Sequence, residues 1–338
     1  MLTDLPESAL WEYRSSQVRP DDFDEFWDST MAEARALPIA VEFEAVASGL
    51  AAVDTYDLSF AGFGGDRVRA WLRVPRWATG RMPVVLQFPG YGSGRGHVLR
   101  DLLWSAAGYV HLSVDVRGQT GGQGFLVDGL ESPHDHYYRR AYTDSARAVE
   151  AARSLEFVDA ARVALVGDSQ GGGLALAAAA LDGGISALVV QAPFLSDLRR
   201  ASEITDSLPY GEIGRYLAIR RDQTDRAHRT LSYVDGVNLA SRATAPALFS
   251  TGLMDDITPP STVFGAFHAY AGPKRMVTWP YSGHEAGGQL DSEAALAFVA
   301  AHLAAPDSTH TTHAGDGAPA RASLPTAAAS STNTKRNS

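Results

Sequence analysis

From Pro83 onward the chain alternates short apolar runs of strand length with longer stretches of helical periodicity. This alternation restricts the possible folds more than any other feature. Residues 84–88 (VVLQF) lead into a glycine-rich turn and a helical stretch over 98–107. Residues 111–114 form a second run, followed by a strongly amphipathic stretch over 138–155. Residues 163–166 are a third run, and the small-residue stretch 171–181 after them reads as a helix. Runs at 188–190, 247–249 and 276–278 add three strands, with helical stretches at 261–270 and 292–303 after the last two. Strands joined by helix-length crossovers pair in parallel, so the expected class is α/β: a mostly parallel, doubly wound sheet with helices on both faces. In such sheets the chemistry collects in the loops at the carboxyl ends of the strands.

The segments flanking this pattern have other characters. Arg19-Pro20-Asp21-Asp22 makes a turn with acidic first-turn residues, and Phe23, Phe26, Trp27 and Met31 then recur at helical spacing. Residues 1–40 are therefore expected to be an N-terminal helical extension packed on the main domain. Residues 53–60 alternate apolar and polar, 62–65 turn on glycines, and 67–74 return as a strand. The catalytic domain is expected over 41–306. In 307–338, rich in Ser, Thr, Ala, Pro and Gly, Leu324 is the only large aliphatic residue. Such a stretch cannot bury enough surface to offset its ordering entropy, so a disordered tail is expected, with His302, His310 and His313 as chance histidines near and within it.

Composition narrows the function classes. Lys and Arg number 29 against 39 Asp and Glu, a formal charge of −10, which disfavours phosphate backbones and anionic lipid surfaces as partners. There is no cysteine, which excludes disulfides, thiolate catalysis and sulfur-ligated metal. No apolar run has the length of a membrane helix and no basic-then-apolar leader opens the chain, so a cytoplasmic enzyme is expected. His134-Asp135-His136 has metal-like alternation but no third ligand placed by spacing, and no metal or other cofactor is expected.

Gly167-Asp168-Ser169-Gln170-Gly171 lies between a strand and a helix and fits the G-x-S-x-G nucleophile elbow. The reason for the pattern is steric: a strained turn lifts the serine above the sheet, and glycines on either side let strand and helix approach. The elbow also puts the N–H of Gln170 at a helix N-terminus, where it can hold an oxyanion. A serine needs a general base oriented by an acid, in the chain order Ser, acid, His for this type of turn. Asp255 and Asp256 follow the run at 247–249, and His284 follows the run at 276–278 among turn-forming neighbours. His284 is the candidate base and Asp255 the preferred acid, a choice that spacing alone does not make. Glu285 is expected to support the loop. The glycine-rich loop 89–96 is placed to give the second oxyanion donor, with the Tyr91 N–H as candidate; its glycines, at 90, 92, 94 and 96, fit neither a dinucleotide fingerprint nor a Walker A loop.

Three ordered motifs, Arg117-Gly118-Gln119, Gly167-Asp168-Ser169-Gln170-Gly171 and His284-Glu285, resemble the signatures of carbohydrate esterase family 7, the acetyl xylan esterases and cephalosporin-C deacetylases of the α/β-hydrolase superfamily. The likeness runs from Pro20-Asp21-Asp22-Phe23 through Tyr137-Tyr138-Arg139-Arg140 to Pro259-Pro260-Ser261. It implies an α/β-hydrolase fold, a triad of Ser169, His284 and Asp255, and oxyanion donors at Tyr91 and Gln170. It further implies structural support from Arg117 and Gln119, and a small acyl pocket lined by Trp104, Pro209 and Ile257 that admits acetyl and crowds longer chains. The implied activity is removal of acetyl groups from sugars, xylo-oligosaccharides and small molecules such as cephalosporin C, by a homo-oligomer, trimeric or hexameric. Pro89 stands where relatives often carry histidine, and 120–136 is shorter than in well-known members. Two other readings share the residues: a serine peptidase of the prolyl oligopeptidase type, and a catalytically silent binding protein on the same scaffold.

Overall fold

The computed structural model describes residues 4–119 and 121–304. The expected tail at 307–338 lies outside the described residues.

Two helices open the chain: α1 (Glu7–Glu12) and α2 (Phe23–Arg35). Phe23, Phe26, Trp27 and Met31 of α2 are all buried, the face that their spacing predicts. The Trp27 indole N–H donates to the Tyr233 carbonyl at 2.8 Å, so this helix is fastened as well as packed. Among the described residues nine strands follow in one sheet: β1 (Glu42–Val46), β2 (Val53–Ala61), β3 (Arg67–Pro75), β4 (Met82–Phe88), β5 (Val110–Val114), β6 (Val158–Asp168), β7 (Ala187–Gln191), β8 (Ala247–Gly252) and β9 (Lys274–Trp279). Their order across the sheet is β1-β2-β3-β5-β4-β6-β7-β8-β9. The strands from β4 to β9 run parallel, and β1 to β3 form an antiparallel edge joined to β5.

The crossovers are α3 (Leu103–Ala106), α4 (Tyr137–Arg153), α5 (Gln170–Leu181), the group α6 (Leu198–Ile204), α7 (Gly211–Ile219), α8 (Thr224–Val234) and α9 (Gly236–Ala240), then α10 (Pro260–Ala269); α11 (Gln289–Leu303) follows the last strand. Alternation along the strands separates two apolar layers. Val84, Leu86, Val163, Leu165, Leu188 and Val190 pack with α4 and α5. Val85, Ala164, Val166 and Val189 face the other way, with Val299 and Leu303 of α11. Both faces of the parallel strands are therefore covered, which is why these strands read as continuous apolar runs rather than alternating ones.

The expected helix over 98–107 is reduced to the four residues of α3. The guanidinium of Arg73, fully buried in β3, donates to the carbonyls of Val98 at 3.1 Å and Arg100 at 2.8 Å. Those acceptors are the ones a helix through 98–104 would need for its own N–H groups. The strand β1 and the four helices between β7 and β8 go beyond the periodicity read above. No helix among the described residues is long and apolar enough to cross a membrane.

Candidate active site

Ser169 follows β6 directly and stands at the N-cap of α5, with φ 54° and ψ −123°. Side-chain-bearing residues seldom occupy this left-handed region, and a strained backbone persists only when its surroundings hold it. Here the Ser169 N–H donates to the Gln191 carbonyl at 2.9 Å, and the Ser169 carbonyl accepts the Phe194 N–H at 2.9 Å. The flanking glycines answer to contact. A methyl group on Gly171 would collide with the Phe88 carbonyl, and one on Gly167 with the backbone of Gly171.

The acid loop follows β8 and the histidine loop follows β9, two parallel neighbours on the same side of β7. The Leu253 N–H bonded to the Trp279 carbonyl and the Met254 N–H bonded to the Ser282 carbonyl, each 2.9 Å, clip the loops together. Asp255 is fully buried. Its Oδ1 accepts the N–H groups of Ile257 and Thr258 at 2.9 Å each, and its Oδ2 accepts the Thr258 hydroxyl at 2.7 Å. The same Oδ2 takes the Nδ1–H of His284 at 2.8 Å. A carboxylate facing Nδ1 fixes the tautomer and leaves Nε2 free to accept a proton. Asp256, the alternative acid, is exposed and turns to Thr205 and Ser207 instead. Thr258, which sequence reasoning missed, completes the carboxylate's coordination; a threonine three residues after an aspartate in a tight loop is the local signal that could have found it.

Burial alone would lower the basicity of His284. The hydrogen bond and charge of Asp255, helped by Asp168 and Asp256, outweigh it and hold the imidazole above the ordinary histidine value. The Asp168 that adds to this shift is the residue before Ser169. Thr258 makes a second link: its hydroxyl is 3.2 Å from the carbonyl of Ala192, the neighbour of the Gln191 that holds the Ser169 N–H.

The glycine-rich loop after β4 lies against the elbow. Gln119 and Gln170, both fully buried, pair through reciprocal amide hydrogen bonds of 2.8 and 2.9 Å. Gln119 Oε1 also accepts the Gly92 N–H at 2.9 Å, and Gln170 Oε1 accepts the Tyr138 hydroxyl at 2.8 Å. Four separate segments are thus stitched together around the backbone of Tyr91 and Gln170. Neither of those two backbone N–H groups has an acceptor among the described residues. A serine hydroxyl with two such donors and a histidine–aspartate pair is the equipment of acyl transfer.

The family model described as acetyl xylan esterase (AXE1) matches residues 1–302. The chain belongs to the acetyl xylan esterase family, whose members are serine esterases. It is similar to the solved acetyl xylan esterase of Paenibacillus sp. R4, with 36% identity over 88% of this chain and 100% of that one, at a TM-score of 0.84. The acetyl xylan esterase 1 of Thermoanaerobacterium sp. JW/SL YS485 is 32% identical over 89% of this chain and 100% of that one, also at 0.84. A curated relative, acetyl esterase Axe7A of Xylanibacter ruminicola, is 29% identical over 78% of this chain, which spans only 63% of that protein's length.

The remaining positions implied by the acetyl xylan esterase resemblance fall at varied distances from the chemistry. Arg117 touches neither Ser169 nor His284: it forms a bidentate pair with buried Asp144 at 2.5 and 2.6 Å, and a 3.0 Å bond to Asp66. Its carbonyl accepts the Tyr137 hydroxyl at 2.6 Å, so it anchors the loop that carries Gln119. The exposed Glu285 accepts the Gly283 N–H at 3.1 Å and braces the histidine loop. Of the three pocket candidates, Ile257 is tied directly to Asp255 through its N–H. Pro209 is buried in the turn before α7, and the nearby Thr205 and Ser207 bond to Asp256. Trp104 is buried in the second apolar layer with Val85 and Val166. His136 is a helix cap: its Nδ1 accepts the Tyr138 N–H at 3.2 Å and its other nitrogen faces the Leu126 carbonyl at 3.1 Å. Burial lowers its pKa to about 4. Among the described residues, no group of three or more histidines and carboxylates is placed to hold a metal ion.

Proposed function

We propose that the chain removes acetyl groups from acetylated sugars and xylo-oligosaccharides, and from small molecules such as cephalosporin C, through a Ser169–His284–Asp255 triad. The observation that carries this reading is the buried Asp255 carboxylate holding His284 Nδ1 at 2.8 Å, on loops that converge on the strained Ser169 turn. The Ser169 Oγ attacks the acetyl carbonyl while its proton passes to His284 Nε2. The carbonyl oxygen becomes an oxyanion received by the N–H groups of Tyr91 and Gln170, each worth on the order of 10²–10³ in rate. Collapse breaks the ester C–O bond, and the leaving alkoxide takes the proton from His284. Water, deprotonated by the same imidazole, then attacks the acetyl-serine and releases acetate. The net change is ester plus water to alcohol plus acetic acid.

The small-acyl preference rests on Trp104, Pro209 and Ile257, bulky residues whose overlap with a longer chain sets the limit. The names of the curated relative and of the two solved structures support acetyl as the acyl group and xylan sugars as its carriers. Turnover of p-nitrophenyl esters from acetate to octanoate tests this, followed by acetylated xylo-oligosaccharides. The expected result is a steep fall beyond acetate and loss of turnover in Ser169→Ala. Faster cleavage of a peptide nitroanilide than of the acetate ester would point to a peptidase. Failure of a fluorophosphonate to label Ser169 would point to a silent scaffold.

A further inference from the structure

Glu212, in the first turn of α7, is a nearly buried carboxylate with 7% of its surface exposed. Among the described residues no lysine or arginine forms an ion pair with it. Its partners are the Tyr91 hydroxyl, 2.9 and 3.0 Å from the two oxygens, the Gly124 N–H at 2.9 Å and the Leu126 N–H at 3.3 Å. A buried carboxylate is costly unless its lone pairs are met. Here the partners come from two neighbouring segments: the loop that bears the Tyr91 N–H, and 124–126, whose Phe125 ring packs edge-on against Tyr91.

We propose that Glu212 is a positioning residue for the oxyanion hole, holding the Tyr91 backbone N–H in place by gripping its phenol. The proposal rests on the reading of that N–H as an oxyanion donor. The tyrosine is a rigid lever. Its ring stands edge-on to Phe125 and Phe194, both at 5.7 Å, and its hydroxyl also accepts the Phe125 N–H at 2.9 Å. Burial, and then the Glu212 charge, raise the phenol's pKa and keep it a donor. Phe194 in turn donates its N–H to the Ser169 carbonyl, so the ring is registered against the nucleophile's own turn. The backbone end is held separately, by Gln119 on the Gly92 N–H. With side chain and following residue both pinned, the Tyr91 N–H has little freedom to rotate. Glu212 also donates its own N–H to the Pro209 carbonyl at 3.0 Å, which links the turn of a proposed pocket residue to the donor loop.

The test compares Glu212→Gln, Tyr91→Phe and the double variant, with kcat expressed per active site titrated by a fluorophosphonate. Glutamine keeps the shape but turns one acceptor into a donor that faces the Tyr91 hydroxyl and either the Gly124 or the Leu126 N–H. The expected result is a fall in kcat for p-nitrophenyl acetate of about tenfold, with KM within about twofold. The Ki of a trifluoromethyl ketone, which binds as a hemiketal oxyanion, should rise in step with that fall. Because both residues act through one lever, the double variant should fall no more than about threefold below the weaker single. Unchanged kcat per site with unchanged ketone affinity in Glu212→Gln would overturn the proposal, as would losses that multiply in the double variant. If Glu212→Gln does not fold, Tyr91→Phe decides by the same two measures. Failure of the underlying site reading is separable: it appears in the unsubstituted protein, as absent Ser169 labelling.

Discussion

Replacing Gln119 with alanine removes one side chain that never touches substrate, and its consequences can be worked from the bonds it makes. Three hydrogen bonds disappear: two with the Gln170 carboxamide, at 2.8 and 2.9 Å, and the one that accepts the Gly92 N–H at 2.9 Å. Gln170 is not orphaned. Its Oε1 keeps the Tyr138 hydroxyl at 2.8 Å, and its Nε2 keeps the carbonyls of Pro89 and Gly90 at 3.4 and 3.3 Å. The Gly92 N–H loses its acceptor in a partly buried position. With roughly 1 kcal/mol for each of the three lost bonds and a further penalty of about 1–3 kcal/mol for the unmet donor, the expected destabilisation is about 4–6 kcal/mol. Catalysis should suffer beyond stability, because Gly92 directly follows the proposed Tyr91 donor: part of an oxyanion contribution on the order of 10²–10³ goes with it, or about 10- to 100-fold in kcat. Urea unfolding by circular dichroism measures the first quantity and p-nitrophenyl acetate turnover of the folded variant the second. A loss under about 1 kcal/mol together with kcat within about twofold of the parent would refute the view that this amide pair holds the donor loop.

The pH dependence and a distant ion pair give two further checks. In the proposed mechanism His284 must be neutral to act as base, and Asp255 holds its pKa above the ordinary value, so kcat/KM should rise with pH through a midpoint above about 6.5. Asp255→Asn should move that midpoint down and cut kcat by roughly 10⁴-fold, through loss of the tautomer; an unmoved midpoint in a stopped-flow pH profile would contradict the pairing. Stability linked to this imidazole has the matching sign: full below the unfolded-state pKa, and lost as pH rises through the raised folded value. Arg117→Ala strands the buried Asp144 carboxylate, so a cost of about 3–5 kcal/mol is expected in denaturant unfolding. The folded fraction should keep near-parental kcat, since the Arg117 carbonyl that holds the Tyr137 hydroxyl and so the Gln119 loop belongs to the backbone and survives the substitution.

What local sequence determined is what local physics decides. The G-x-S-x-G turn could be read directly because the collisions that demand glycine involve the strand, the turn and the helix of one continuous segment, plus the adjacent strand end at Phe88. The parallel sheet was legible because burial on both faces leaves unbroken apolar runs. The buried face of α2 was legible from its 3.6-residue spacing. The helix expected over 98–107 failed because a guanidinium 25 or more residues away takes the carbonyls it would use. Spacing alone did not separate Asp255 from Asp256, adjacent acids in one loop; the family resemblance named Asp255, and the tertiary structure supplies the reason, since the loop's path decides which of them is buried against the imidazole. Only the tertiary structure joined Glu212 to Tyr91, 121 residues away, and paired Gln119 with Gln170. Their roles depend on which loops meet above the carboxyl ends of the strands. Strand order sets that meeting, and strand order is a property of the whole packed sheet rather than of any segment within it.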